Sequence, residues 1–268
     1  MSVKGKINFL LGLFGLVACI FLGKGEIQGA ISKISLGLVI ASAIDFIVFI
    51  FENKKRWKLL LPKIWKPNAP VRLTVAYLFR IELNGKYMLI KRHKTDFVGF
   101  QPVGGAYKYF KEENRANFDS LGITPCNHVP RDGATENDLR VKIAKRKKML
   151  EFFKWFDGRE NREIDPWREF CEELIEPGLL PQEIFRHIKY SYVGKHQEGI
   201  LRNEDYPIDQ FRHADIFELR LENDAQKKAI NALSTNPDIA FVTAEEINKG
   251  ATNSGVRILP HTFKILPK

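Results

Sequence analysis

The sequence predicts a two-helix transmembrane hairpin followed by a cytosolic α/β domain, a mixed β-sheet flanked by helices. Three observations carry that expectation. Two long apolar runs open the chain. An Asn-Gly pair joins two β-rich segments, and after it extended and helical stretches alternate to the C-terminus.

Ile7 to Gly23 is seventeen residues without a charge, and Ile34 to Phe51 carries Asp45 alone. A bilayer-crossing helix needs roughly 17–25 residues. Spans are therefore expected at about 7–23 and 34–51 of a segment covering 1–55, with KGEIQGAISK as the turn between them. A cleaved signal peptide is the competing reading of the first run. No small-x-small cleavage site stands out, however, and a second apolar run follows at once. Lys4 and Lys6 precede the first run, while Lys54, Lys55, Arg56, Lys58, Lys63 and Lys66 follow the second. The turn holds only Lys24 and Lys33, so the positive bias places both termini in the cytoplasm of a multi-pass protein. Asp45 has two readings: a helix–helix or pore contact in an oligomer, or a group hydrated near the inner headgroups.

The net charge of +10 suits an anionic surface, an anionic ligand or nucleic acid without choosing between them. Cys19, Cys126 and Cys171 form no CxxC pair and no metal spacing, which points to a reducing compartment. A basic linker at 56–69 leads into the second domain, 70–268. There Arg72–Leu83 is expected as a strand, Asn84-Gly85 as a tight turn and Lys86–Arg92 as the returning strand. Residues 100–109 form a third extended piece, with further strands at 188–193 and 214–221 and a helix at Asp224–Leu233. Thr243 with Glu246 makes a capping box.

Residues 113–157 break this rhythm. A loop is expected first, then a helix over 139–156 with Ile143, Met149, Leu150, Phe153 and Phe156 on its apolar side. Its cluster Lys142, Lys145, Arg146, Lys147 and Lys148 fits a basic amphipathic helix on a leaflet or an anion pocket, or an insertion with lysines in water.

The stretch REFCEEL, 168–174, puts Glu169, Glu172 and Glu173 on one helical face. Asp165 caps that helix, Pro166 opens it and Pro177-Gly178 ends it, for a length of about eleven residues. Oxygen-only ligands of this kind favour Mg²⁺ or Mn²⁺, and Arg168 is placed to orient one carboxylate. The same residues also suit a solvated acidic face.

Glu160, seven residues, then Arg168-Glu169-Phe170-Cys171-Glu172-Glu173 resembles the second part of the Nudix box, G-x5-E-x7-R-E-U-x-E-E-x-G-U. The PVGG at 102–105 stands for its opening glycine. Two departures matter. Between Gly105 and Glu160 lie 54 residues instead of five, and Ile175 stands where a glycine is expected, with Gly178 three positions later. The resemblance implies that Glu169 is a metal ligand and catalytic base, that Glu172 and Glu173 are metal ligands, and that Arg168 is the orienting partner. Glu160 would support the loop, and Mg²⁺ or Mn²⁺ would act on a phosphate. Gly104, Gly105, Lys91 and Arg92, with His93 and the insertion lysines, would face the ligand.

A membrane hairpin joined to a split Nudix domain further resembles the SMODS-associated Nudix proteins of bacterial cyclic-oligonucleotide antiphage systems (CBASS). That likeness implies an inner-membrane effector and homo-oligomer. It would sense a cyclic nucleotide made by a CD-NTase nucleotidyltransferase and damage the lipid bilayer through its helices. No nucleic-acid polymer is implied as a partner. The rival reading is a membrane-anchored, Mg-dependent Nudix hydrolase of a nucleoside diphosphate derivative, and a third is a structural anchor. Whether the chain is an enzyme stays open at this point.

Overall fold

A computed structural model describes residues 26–52, 66–92, 98–126, 135–202 and 207–267. The chain divides into two units, Met1–Leu61 and Pro62–Lys268.

In the first unit, helix α1 runs Glu26–Glu52. It begins inside the segment expected to be the hairpin turn. Among the described residues no helix is long and apolar enough to cross a membrane. That finding corrects the expected transmembrane hairpin, and with it the multi-pass inner-membrane placement with both termini cytoplasmic. The physical reason lies in the charges. Lys33 and Asp45 leave eleven uncharged residues, Ile34 to Ile44, between them. Eleven helical residues rise about 16 Å, roughly half of a hydrocarbon layer. The first expected span, 7–23, and the linker as far as residue 65 lie outside the described residues.

The second unit is built on β1, Val71–Arg80, whose side chains alternate between two apolar layers. On one edge it pairs in parallel with β9, Gln210–Arg220. Its other edge is shared: β7, Arg140–Ile143, takes the first half and β5, Gly104–Ala106, the second, both antiparallel. With β6, Ile123–Pro125, and β8, Lys189–Gln197, the order is β6-β7-β1-β9-β8. A second sheet runs β10-β3-β2, where β2 is Glu82–Leu83, β3 is Lys86–Arg92 and β10 is Ile239–Val242. β4, Gly99–Gln101, pairs with β3. The expected hairpin is present: Asn84 (φ 52°) and Gly85 (φ 75°) supply the two positive φ values that a tight two-residue turn needs.

Helices α2 (Lys111–Leu121), α3 (Met149–Gly158), α4 (Trp167–Phe170), α5 (Gln182–Phe185), α6 (Asp224–Ala232) and α7 (Ala244–Lys249) complete this unit, with a 3-10 turn at Pro260–Ile265. One core layer packs Phe79, Met88 and Val103 against Phe170, Leu174 and Phe185. The opposite layer joins Leu78, Leu89 and Ile216 to Ile247, Ile258 and Ile265. Thr243 and Glu246 cap α7 reciprocally, as their spacing predicts.

Residues 113–157 differ from expectation. The first part holds most of α2, and the long helix expected from residue 139 begins only at Met149. Val141 and Ile143 are buried while Lys142 between them is exposed, so this piece has period two and pairs with Val71–Thr74. The basic run is thereby divided between a strand and the 3-10 turn Arg146–Lys148 that leads into α3. Arg146 is buried and ion-paired with Asp209. α3 drives Phe152, Phe153 and Phe156 into the core, Phe153 against Phe211 and Phe156 against Tyr107.

Phe153→Ala is expected to cost about 3–5 kcal/mol in urea unfolding, the scale for a buried aromatic. An insertion merely lying on the domain would lose less than about 0.5 kcal/mol.

Candidate carboxylate site

The site begins at the turn that feeds β5. Gly104 has φ 143°, and a Cβ there would meet the Tyr77 carbonyl oxygen at 2.2 Å. At Gly105 a Cβ would lie 1.9 Å from Glu169 Oε1. The first glycine is required by the backbone of β1, and the second leaves room for a carboxylate. The Gly104 N–H donates to Glu173 Oε2 at 2.8 Å. Gly104, Gly105, Glu169 and Glu173 therefore meet despite the long insertion between them.

Asp165 accepts from the Trp167 N–H at 2.8 Å just ahead of α4, whose N-cap position falls on Pro166 where Asp165 was expected. After Phe170 the helix widens into a π turn, Cys171–Ile175. It is thus nine residues of mixed pitch where about eleven of regular helix were expected. Such turns are uncommon and are frequent at functional sites. Phe170 and Leu174 anchor this segment in the core. Glu173 turns toward the glycines, while Glu172 stays nearer solvent.

Arg168 holds the acidic groups together. Its Nε donates to Glu163 Oε1 at 3.0 Å, and its Nη1 bridges Glu169 Oε1 at 2.7 Å and Glu172 Oε2 at 3.0 Å. Its Nη2 reaches the Ala106 carbonyl at 2.9 Å. Glu163 also accepts from the Lys108 N–H at 3.1 Å and from the Tyr77 hydroxyl at 3.4 Å. Glu160, the glutamate picked out by box spacing, is exposed, and Glu163 makes these contacts instead. Arg159 and Asn161, both with left-handed φ, reverse the chain between the two. The sequence does offer a second glutamate three residues further along the same loop, but not the backbone reversal that selects it.

Burial raises the Glu173 carboxyl to about 8, with Glu169 and Glu172 adding to it and the Gly104 N–H opposing. Burial also raises Glu169, against the pull of Arg168. Burial works against the Arg168 guanidinium, yet Glu163 and Glu169 hold it above its ordinary value.

A second polar chain, unmarked in the sequence, adjoins the first. The Tyr107 hydroxyl donates to Asp215 Oδ2 at 2.9 Å, His213 Nε2 lies 3.0 Å from Asp215 Oδ1, and Gln197 meets His213 Nδ1 at 3.0 Å. Burial would raise Asp215, but the His213 and Tyr107 bonds hold it below the usual carboxylate range. The Tyr77 and Tyr107 rings, 4.7 Å apart, join the two chains. Lys91 pairs instead with Asp238 at 3.4 Å. Arg92 ends β3, and its charge acts on His261 in the C-terminal turn. His93 lies outside the described residues. Among the described residues, no three His, Cys, Asp or Glu side chains are grouped so as to hold a metal ion.

An arginine that gathers the box glutamates on a short helix, docked through a glycine turn onto a mixed sheet, defines a Nudix-class domain. The chain belongs to the SMODS-associated NUDIX domain family, whose model matches residues 70–266. No curated protein matches the chain.

Glu173 generates a pH prediction. Its folded pKa of about 8 lies above the ordinary 4.5, so the native state binds the extra proton and stability falls as pH rises from 4.5 through 8. In metal-free buffer the wild type is expected to lose on the order of a few kcal/mol across that window relative to Glu173→Gln. Parallel pH dependences of the two unfolding midpoints would contradict the assignment.

Proposed function

We propose that the domain is the sensing part of a bacterial cyclic-oligonucleotide antiphage (CBASS) effector, recognising a cyclic nucleotide made by a partner nucleotidyltransferase. Membership of the SMODS-associated family supports this reading, and the net charge of +10 suits an anionic ligand. The observation that carries it is the bonding of Arg168. Turnover in a Nudix box needs carboxylates open to a cation and to water. Here one guanidinium engages Glu163, Glu169 and Glu172, and a backbone N–H engages Glu173. The box thereby acts as a fastening between β5 and α4, which keeps a recognition surface in shape.

Hydrolysis of a nucleoside diphosphate derivative is the second reading, and one observation favours it. Glu169 and Glu173 are half-buried and both raised, and the charge of Glu169 acts on Glu173, a repulsion that a divalent cation would relieve. Their oxygen-only donors are of the kind Mg²⁺ takes, but the described side chains are not grouped as a metal site, and Arg168 would have to yield part of its hold on Glu169 first. When bound, the ion would supply Lewis-acid polarisation of a phosphate.

Calorimetric titration of the full chain with a panel of cyclic di- and trinucleotides separates the two. The sensor reading expects saturable binding that survives both EDTA and Glu173→Gln, with no ligand consumed. Mg²⁺-dependent nucleotide cleavage without any cyclic-nucleotide binding would overturn it.

A further inference from the structure

The C-terminal 3-10 turn gathers cations that the carboxylate site does not use. Lys264, almost fully buried, donates to Glu198 Oε1 at 2.5 Å, and Arg212 Nη1 lies 3.8 Å from Glu198 Oε2. Arg92 pairs across β3 and β4 with Gly99, which packs on Leu259 just ahead of the turn. Burial and then the charges of Lys264, Arg92 and Arg212 press the His261 imidazole down to about 4, and Glu198 opposes them.

One buried donor adjoins Arg212. Gln210 Oε1 accepts from Arg212 Nη2 at 3.3 Å, while Gln210 Nε2 finds no hydrogen-bond partner among the described residues. In a 3-10 turn, residues three apart share a side. His261 and Lys264 are one such pair, and Pro260 and Phe263 are the other. Pro260 and Phe263, with Arg257 and Ile247, line a hollow of about 480 Å³. Phe263 is 43% exposed.

We infer that Arg212 and Lys264 form a phosphate-binding site, that Glu198 occupies it in the absence of ligand, and that it takes a phosphodiester of a nucleotide whose base packs on Phe263. The identity of the ligand rests on the sensor reading above, whereas the anion site does not. Salt bridges from a carboxylate to two cations resemble those a phosphate oxygen would make, and a dianion would make them more strongly. Aromatic faces accept bases of any kind by stacking.

The full-length chain is titrated with pyrophosphate and with a cyclic dinucleotide, in EDTA, with folding checked by circular dichroism. Removing the built-in competitor in Glu198→Gln is expected to tighten pyrophosphate binding about tenfold, and Arg212→Gln or Lys264→Gln to weaken it by at least about tenfold. The opposite signs distinguish loss of a ligand contact from loss of the fold. If Glu198→Gln and Arg212→Gln both bind pyrophosphate as the wild type does, the site is refuted. If the wild type binds the cyclic dinucleotide and these variants bind it equally well, the inference falls and the sensor reading stands. If the pyrophosphate effects hold but no cyclic nucleotide binds, the anion site stands and the sensor reading falls.

Discussion

The guanidinium of Arg168 is the interaction on which the second unit's geometry depends. It touches a loop glutamate, two helix glutamates and a strand carbonyl. Removing one partner from a partly buried ion network leaves its charges uncompensated, which costs more than forming the network contributes. The same contacts settle where α4 lies on the sheet, because Glu169 must fit over the hydrogen of Gly105 and nothing larger. Phe170 and Leu174, on the other side of that helix, are then delivered to the apolar layer formed by Phe79 and Met88. Polar and apolar faces of one short segment are thus registered together.

Placing an insertion inside such a box would be expected to pull it apart. The edge of β1 shows why it does not. That edge is divided, β5 bonding to residues 76–78 and β7 to residues 71–74, so the insertion continues the sheet that the box glycines begin. Arg162 then closes the excursion, its guanidinium lying over the Phe156 ring at 3.8 Å and its Nε donating to the Phe156 carbonyl. The chain returns to Glu163 in a set position despite the length of its detour.

What could be seen in the sequence was what local chemistry determines. Asn84-Gly85 and the Thr243–Glu246 box each work within a few residues, and each is present. The link between PVGG and the glutamates was legible only through the likeness to the Nudix box; the structure adds the steric reason, with Gly105 lying against Glu169 and Gly104 bonded to Glu173. Features that arise from pairing partners were hidden. Arg140–Ile143 is too short and too basic to declare itself a strand until Val71–Thr74 lies beside it. The choice of Glu163 over Glu160 needs two left-handed residues that carry no compositional mark, and the Tyr107–Asp215–His213 chain joins elements a hundred residues apart. The run at 34–51 suits a span by length alone, but the helix that contains it also carries Lys33 and Asp45 and is not long and apolar enough to cross a membrane.

The parallel bond between β1 and β9 has a consequence for biosynthesis. Arg72 of β1 faces Gln210 of β9, a separation of 138 residues. At roughly 5–20 residues per second a ribosome takes on the order of ten seconds to close that gap. Throughout it, a strand destined for the middle of a sheet has one flank without its native neighbour. Nascent-chain holdases are the cellular resource that this topology calls on until β9 has emerged.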